Sequence, residues 1–189
     1  MAAVPDIAPY DPSWPAMFEA EAVRLHRALG PLALRIDHHG STAVPGLAAK
    51  PVIDIQISVA TLRPLASYGR PLESLGYVHV PHPDDASCPF FHRPSQWPHT
   101  HHVHVVEAGG EEERRTLVFR DYLRQHHGAA REYEQLKREL MVEINPRDDA
   151  ARETYAERKT AFVERILSLA TAAGDGSETN IPRHERKTT

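Results

Sequence analysis

The sequence predicts an α+β fold: a small mixed β-sheet with flanking helices, followed by a C-terminal helical cap. Short segments rich in β-branched residues, separated by turns, occupy the first 110 residues. From Glu111 onward the apolar residues instead follow a helical period. The chain has 189 residues, which suits one domain of ordinary size. We expect that domain over residues 1–172 and a disordered tail over 173–189, where apolar periodicity is absent.

The first predicted helix begins after Ser13, a plausible N-cap with a proline close behind it. Apolar residues at mostly helical spacing continue to Leu29, and Gly30-Pro31 closes the segment. Two strands and a helix follow, and Gly76 ends that helix. Their predicted ranges are 32–37 and 51–59 for the strands and 61–75 for the helix.

The remaining elements complete the sheet and then build the cap. Three further strands are predicted at 77–80, 89–93 and 101–107. Three helices are predicted at about 111–126, 129–144 and 148–171, with Asn145-Pro146-Arg147-Asp148 dividing the last two.

Composition narrows the classes of function. The formal net charge is -4, so no overall basicity indicates a nucleic-acid footprint. No apolar run approaches the roughly 20 residues that span a bilayer, and the N-terminus lacks the pattern of a signal peptide. The single cysteine, Cys88, cannot form an internal disulfide. We therefore expect a cytoplasmic protein that does not enter membranes; the sequence leaves the oligomeric state open.

A Gly-Ser turn between two strands is the first candidate site. Gly40 permits backbone geometry that a side chain resists, and such a turn can bring N–H groups close to phosphate oxygens. Ser41 and Thr42 add hydroxyl groups. A plain β-turn is the structural alternative.

The strand after this turn carries a carboxylate among isoleucines. Strand alternation places Asp54 and Gln56 on one face and the isoleucines at 53, 55 and 57 on the other. The isoleucine face should be core, and the Asp54 face should line a polar site because an unpaired buried carboxylate is costly. A hydrogen-bonded structural carboxylate is the alternative role for Asp54.

Two histidines stand out on the strand over 101–107. Alternation puts His102 and His104 on one face, close enough to share a ligand or a transition metal such as zinc. Direct contact of these imidazoles with substrate is a second interpretation. Two histidines on an exposed sheet face would be the structural alternative.

One continuous string precedes the strand of Asp54: Gly40-Ser41-Thr42-Ala43-Val44-Pro45-Gly46-Leu47-Ala48-Ala49-Lys50-Pro51. The string and the strand together resemble the GrpB family of the nucleotidyltransferase (polymerase-β-like) superfamily. The His-apolar-His strand and Phe119-Arg120-Asp121-Tyr122-Leu123-Arg124 are similar to further family signatures. The resemblance covers roughly residues 8–170. It implies a nucleotidyltransferase-like fold.

The resemblance also implies a reaction: a nucleoside triphosphate would bind with Mg²⁺, and its nucleotidyl group would pass to a small-molecule acceptor. Asp54 would hold the metal, and His102 and His104 would share the catalytic site. The superfamily's second strand carboxylate is replaced here by Gln56, a neutral ligand. Candidate contacts to the nucleotide are Gly40, Ser41, Thr42, Lys50, Arg93, Arg120, Arg124, Tyr155 and Lys159.

Two other functions remain open at this point. The domain could bind a nucleotide or phosphometabolite without catalysis, with Gln56 marking the lost activity. It could instead be a metalloenzyme centred on Asp54, His102 and His104. For Arg120 and Arg124, an ion pair with Asp121 within the helix competes with a role in phosphate binding.

Overall fold

The computed structural model describes residues 7–144, 149–172 and 174. Five strands form one sheet: β1 Arg35–His39, β2 Ile53–Val59, β3 Val78–Val80, β4 Phe90–Arg93 and β5 His101–Glu107. Five α-helices surround it: α1 Trp14–Leu29, α2 Ala66–Ser74, α3 Glu111–Gln125, α4 His127–Ile144 and α5 Asp149–Ala172. The predicted α+β class is confirmed.

The sheet is mixed, with strand order β1-β2-β5-β4-β3. β2 and β5 pair in parallel at its centre, while the other neighbouring strands are antiparallel. The register places His39 opposite Asp54 on one side and His102 opposite Asp54 on the other. Directly paired residues point to the same face of a sheet. The topology therefore brings the side chains of His39, Asp54 and His102 together.

One face of the sheet is the main apolar core. Ile53, Ile55 and Ile57 are fully buried there, together with side chains from α1 and α2. Burying an isoleucine of this size contributes roughly 1.5–3 kcal/mol. The predicted division of β2 into an isoleucine face and an Asp54 face is therefore confirmed.

The helical cap supplies a second apolar cluster. Leu123 of α3, Tyr133 of α4 and Phe162 of α5 pack with Val44 and Leu47, which follow the Gly-Ser turn. This packing joins α3, α4 and α5 to the loop between β1 and β2. It fixes the helices beside the turn that the sequence singles out.

Two element boundaries differ from the prediction, and the first of them bears on the site. Gly30–Leu32 forms a short 3-10 turn, so β1 begins at Arg35 and carries His38 and His39 up to the turn. The helix α2 begins at Ala66 instead of residue 61. Apart from Gly174, the predicted tail over 173–189 lies outside the described residues. No helix within those residues is long and apolar enough to cross a membrane.

Candidate functional site

The Gly-Ser turn is shaped by a close approach to Asp54. Gly40 adopts a φ of 67°, and a Cβ at this position would lie 2.3 Å from Asp54 Oδ2. Only glycine fits both constraints, because other residues resist positive φ and would collide with the carboxylate. Ser41 to Ala43 then forms a single 3-10 turn. The geometry therefore seats the Asp54 carboxylate against the turn.

Thr42 holds the turn to the sheet. Its hydroxyl donates to Val52 O at 3.2 Å, and it lies 3.0 Å from His38 Nε2. Since the hydroxyl hydrogen goes to the carbonyl, the imidazole is the donor in the second contact. His38 stacks on Phe18, and burial lowers its pKa to about 4. The Thr42 hydroxyl is thus engaged in the fold, and its predicted contact with a ligand stays a prediction.

Arg120 and Arg124 bind the backbone on either side of the turn. Arg120 Nη1 donates to His38 O at 3.0 Å, and Arg124 Nε donates to Ala43 O at 2.9 Å. Asp121 accepts from Arg120 Nε at 2.7 Å and lies 3.5 Å from Arg124 Nη1. The structure therefore places both guanidinium groups as supports of the turn, with Asp121 in the ion pairs that the alternative interpretation foresaw.

Asp54 is a partly exposed carboxylate beside the Gly-Ser turn. Its side chain is 26% exposed, and its Oδ1 lies 3.3 Å from His102 Nδ1. Burial opposes its ionisation, but the hydrogen bond and charge of His102 outweigh that effect and lower the pKa of Asp54 to about 2. Asp54 is therefore ionised at neutral pH.

Gln56 occupies the position of the second superfamily carboxylate. Its side chain is 0% exposed, between Asp37 on β1 and His104 on β5. Neither amide atom has a hydrogen-bond partner in the structure. A polar group left in this state is costly, so Gln56 is an unusual element of an otherwise well-packed strand.

The histidines line the Asp54 face of the sheet. His102 Nε2 lies 3.2 Å from His99 Nδ1, and His104 Nδ1 lies 3.7 Å from Cys88 Sγ. His39 packs edge-on against His104, with ring centroids 5.0 Å apart. Burial lowers the pKa of His104 to about 3 and that of His39 as well. These two rings are therefore neutral at physiological pH.

Lys137, on α4, contacts the Gly-Ser turn and the loop that follows it. It is only 4% exposed, and its Nζ donates to Ser41 Oγ at 3.0 Å and to Ala48 O at 2.6 Å. The ammonium also lies 4.9 Å from the ring centroid of Tyr133. Both hydrogen-bond acceptors are neutral oxygens, so they satisfy the donor without balancing its charge.

Lys50 and Lys159 approach the same region. Both amines lie over the ring of Tyr155, at 4.6 Å and 4.5 Å from its centroid. The predicted residues Lys50, Tyr155 and Lys159 are thus brought together by the cap. Lys50, Lys137 and Lys159 will be called the lysine cluster.

Burial affects two amines of this cluster, those of Lys137 and Lys159. Burial, with the charge of Lys159 as the next cause, lowers the pKa of Lys137 to about 7. Burial lowers the pKa of Lys159 too, while the charge of Asp54 acts in the other direction. An anion placed beside these amines would favour their charged form, so the cluster is suited to bind negative charge.

Arg93 does not belong to this site. The β4–β5 register pairs it with His101, on the face of the sheet opposite to Asp54. There Arg93 Nη2 donates to Glu21 Oε2 at 3.0 Å, and Tyr77 donates to the other oxygen of the same carboxylate. The structure thus separates Arg93 from Asp54 and the lysine cluster, and its predicted contact with a nucleotide stays a prediction. The register between β4 and β5, which pairs His92 with His102, therefore puts Arg93 on the other face.

Sequence reasoning missed Lys137 as a site residue. Two signals could have found it. The chain has only four lysines against eighteen arginines, and three of the four meet at this site. The segments Tyr133–Lys137 and Tyr155–Lys159 also share the same Tyr-x-x-x-Lys spacing, which places each amine one helical turn from its ring.

The side chains around Asp54 are poor ligands for the magnesium that the superfamily resemblance implies. Hard cations prefer several charged oxygen ligands, and Gln56 supplies a neutral, fully buried amide instead. Asp37, another carboxylate on this face, is bound by Arg35 and Arg120. Across the described ranges, no three His, Cys, Asp or Glu side chains converge as metal ligands. The predicted metal roles of Gln56, His102 and His104 thus stay predictions.

Comparisons with known proteins give this arrangement a context. The model of the family described as "GrpB protein" matches residues 4–169. A UPF0157 protein of Halalkalibacterium halodurans is 38% identical over 165 residues, which are 86% of this chain and 80% of the relative. A UPF0157 protein of Pseudomonas aeruginosa is 40% identical over 171 residues, covering 89% of this chain and 68% of that protein.

A solved structure supports the same assignment. The crystal structure of conserved protein GrpB from Enterococcus faecalis superposes with a TM-score of 0.76 and is 31% identical. The match covers 88% of this chain and 98% of the other. The resemblance that rests on the Gly-Ser string and the histidine strand is therefore confirmed: the chain belongs to the GrpB family.

Proposed function

We propose that the site binds a phosphate-bearing small molecule, such as a nucleoside triphosphate, between the Gly-Ser turn and the lysine cluster. The observation that carries this proposal is the buried amine of Lys137, held on Ser41 Oγ at 3.0 Å and on Ala48 O at 2.6 Å. Burial lowers the pKa of this amine to about 7 in spite of the charges of Glu134 and Asp54, so an additional anion beside it would stabilise its charged form. A ligand phosphate would supply that anion.

The neighbouring groups support an anionic ligand of some length. Lys159 and Lys50 add two further amines, at 4.5 Å and 4.6 Å from the ring centroid of Tyr155. Several charged donors suit several phosphate groups better than one, because each group can meet its own amine. This proposal corresponds to the binding function that the sequence left open beside catalysis.

Nucleotidyl transfer to a small-molecule acceptor remains a second candidate. One observation favours it: Asp54 is ionised and lies against the Gly-Ser turn, where the reacting phosphate would sit. Transfer would release pyrophosphate from a nucleoside triphosphate. Pyrophosphate formation that depends on an added acceptor, and that disappears in Asp54→Asn, would support this candidate.

Isothermal titration with ATP, GTP, CTP, UTP and inorganic tripolyphosphate tests the binding function. We expect at least one of these ligands to bind, and Lys137→Met or Lys159→Met to weaken that binding by tenfold or more. Arg27→Met is the matched control, since it removes one positive charge from an exposed position on α1. If the wild-type protein binds none of the five ligands, the proposed function is wrong.

A further inference from the structure

The balance of charge around the turn differs from that of a metal-dependent phosphate site. Three amines of the lysine cluster approach the region, and the carboxylates that act on Lys137 are Asp54 and Glu134, the second of which accepts from Ala48 N at 3.3 Å. A site that holds divalent cations instead collects carboxylates, which bind the metal so that the metal can bind phosphate. Here the positive charge belongs to the protein itself.

Asp54 is the carboxylate nearest to the turn, and one of its oxygen atoms already has a partner. Its Oδ1 lies 3.3 Å from His102 Nδ1, while its Oδ2 lies against Gly40, where a Cβ would come within 2.3 Å of it. Gln56, two residues further along the same face, is fully buried and uncharged. These atoms therefore offer a cation one carboxylate and one neutral amide.

We propose that the lysine cluster takes the place of the divalent cation: the site binds an oligophosphate directly through Lys50, Lys137 and Lys159, without magnesium. This inference rests on the proposed function and specifies its ligand as an oligophosphate in metal-free form. Asp54 then does not attract the ligand through a bridging metal. Its negative charge opposes the phosphates across the turn and limits their affinity.

The experiment is isothermal titration of inorganic tripolyphosphate and of ATP, each in EDTA and in excess Mg²⁺. Wild type is compared with Lys137→Met, Lys159→Met and Asp54→Asn, and each variant is checked for folding by its urea transition. Asn preserves the shape of the Asp54 side chain beside Gly40 and removes only its charge. Arg27→Met serves again as the distant charge control.

We expect wild-type protein to bind in EDTA, with an affinity equal to or higher than in Mg²⁺, because Mg²⁺ neutralises part of the charge of the free oligophosphate. Either lysine variant should bind at least tenfold more weakly under both conditions. Asp54→Asn should bind as tightly as wild type or several-fold more tightly.

Binding that requires Mg²⁺ and disappears in Asp54→Asn would overturn this inference while leaving the proposed function intact. Binding that survives in both lysine variants would overturn it as well, since the anion would then lie elsewhere. Absence of binding under every condition would instead overturn the proposed function, and the inference with it.

Discussion

Gly40 occupies a position with no room for a side chain. Its φ of 67° and the distance of 2.3 Å between an ideal Cβ position and Asp54 Oδ2 impose two separate constraints. The first is conformational and the second steric. Another glycine of the same loop, Gly46, shares a positive φ of 79° but has nothing within 4 Å of its Cβ position. Gly46 therefore reports the cost of a positive φ without a close neighbour, whereas Gly40, with a ψ of -170°, adds a conformation nearly exclusive to glycine and the contact with Asp54.

Gly46→Ala should lower the free energy of unfolding by about 1–2 kcal/mol, the usual cost of a left-handed conformation for alanine. Gly40→Ala should lower it by about 1–3 kcal/mol more, because the Asp54 carboxylate must also move. Urea unfolding at neutral pH measures both values. Equal losses in the two variants would mean that the carboxylate adjusts without cost and that the turn does not depend on its contact with Gly40.

At the scale of elements, α3 connects the cap to the turn. Arg120 and Arg124 lie one helical turn apart and donate to carbonyl groups on the two sides of Gly40. The side chain of Arg120 is nearly buried and also meets Asp37 and Asp121. A helix whose residues bind the backbone in this way positions a loop more firmly than apolar packing alone.

Arg120→Ala should lower the free energy of unfolding by about 2–4 kcal/mol, because it removes a nearly buried donor from the carbonyl group of His38 and leaves Asp37 and Asp121 with one guanidinium partner each. Arg158→Ala, which removes an exposed ion pair with Glu143 on the cap surface, should change it by less than about 1 kcal/mol. Urea transitions of both variants provide the measurement. A loss below about 1 kcal/mol in Arg120→Ala would show that α3 does not hold the turn through this residue.

At the scale of the whole molecule, the two faces of the sheet have different tasks. The face against α1 and α2 is mainly apolar, with the ion pair of Arg93 and Glu21 beside its core, and stabilises the fold. The face against the cap collects Asp54, Gln56 and histidines on adjacent strands. Burial keeps histidines neutral on both faces, including His38, which stacks on Phe18 of α1, and His104 on the cap face. The stability of the protein must therefore depend on pH.

The direction in which stability changes with pH follows from proton linkage. The pKa values of His38 and His104 are about 4 and about 3 in the folded protein and 6.5 when unperturbed, so between these limits the unfolded chain binds more protons. The contribution is fully present above pH 6.5 and is lost as the pH falls toward 4. We expect the free energy of unfolding to decrease from about pH 7.5 to about pH 5 by on the order of 2 kcal/mol per buried histidine.

Urea unfolding at several pH values between about 5 and 7.5 measures this slope. His38→Gln should make it shallower, whereas His26→Gln, at an exposed position on α1, should leave it unchanged. Asp54 does not contribute in this range, since its pKa is lowered to about 2. A slope that is identical in wild type and His38→Gln would show that His38 is not held neutral by the fold.

Local patterns in the chain were sufficient to predict the fold class, the order of the elements and the two faces of β2. These properties follow from periodicity, because alternation within one strand decides which side chains share a face. The same patterns placed the Gly-Ser turn and Asp54 in one site, since both belong to a short continuous segment. Membership of the GrpB family, which the comparisons confirm, could also be predicted from that segment, because its signature is continuous in the chain.

The meeting of distant segments depended on the tertiary structure alone. The parallel pairing of β2 with β5 set His102 beside Asp54, and the packing of α4 and α5 brought Lys137 and Lys159 to a turn about a hundred residues away. The same packing assigned Arg120 and Arg124 to the backbone and left Arg93 on the opposite face. Local periodicity cannot specify such contacts, because they depend on the register between strands and on the docking of helices across the whole sheet.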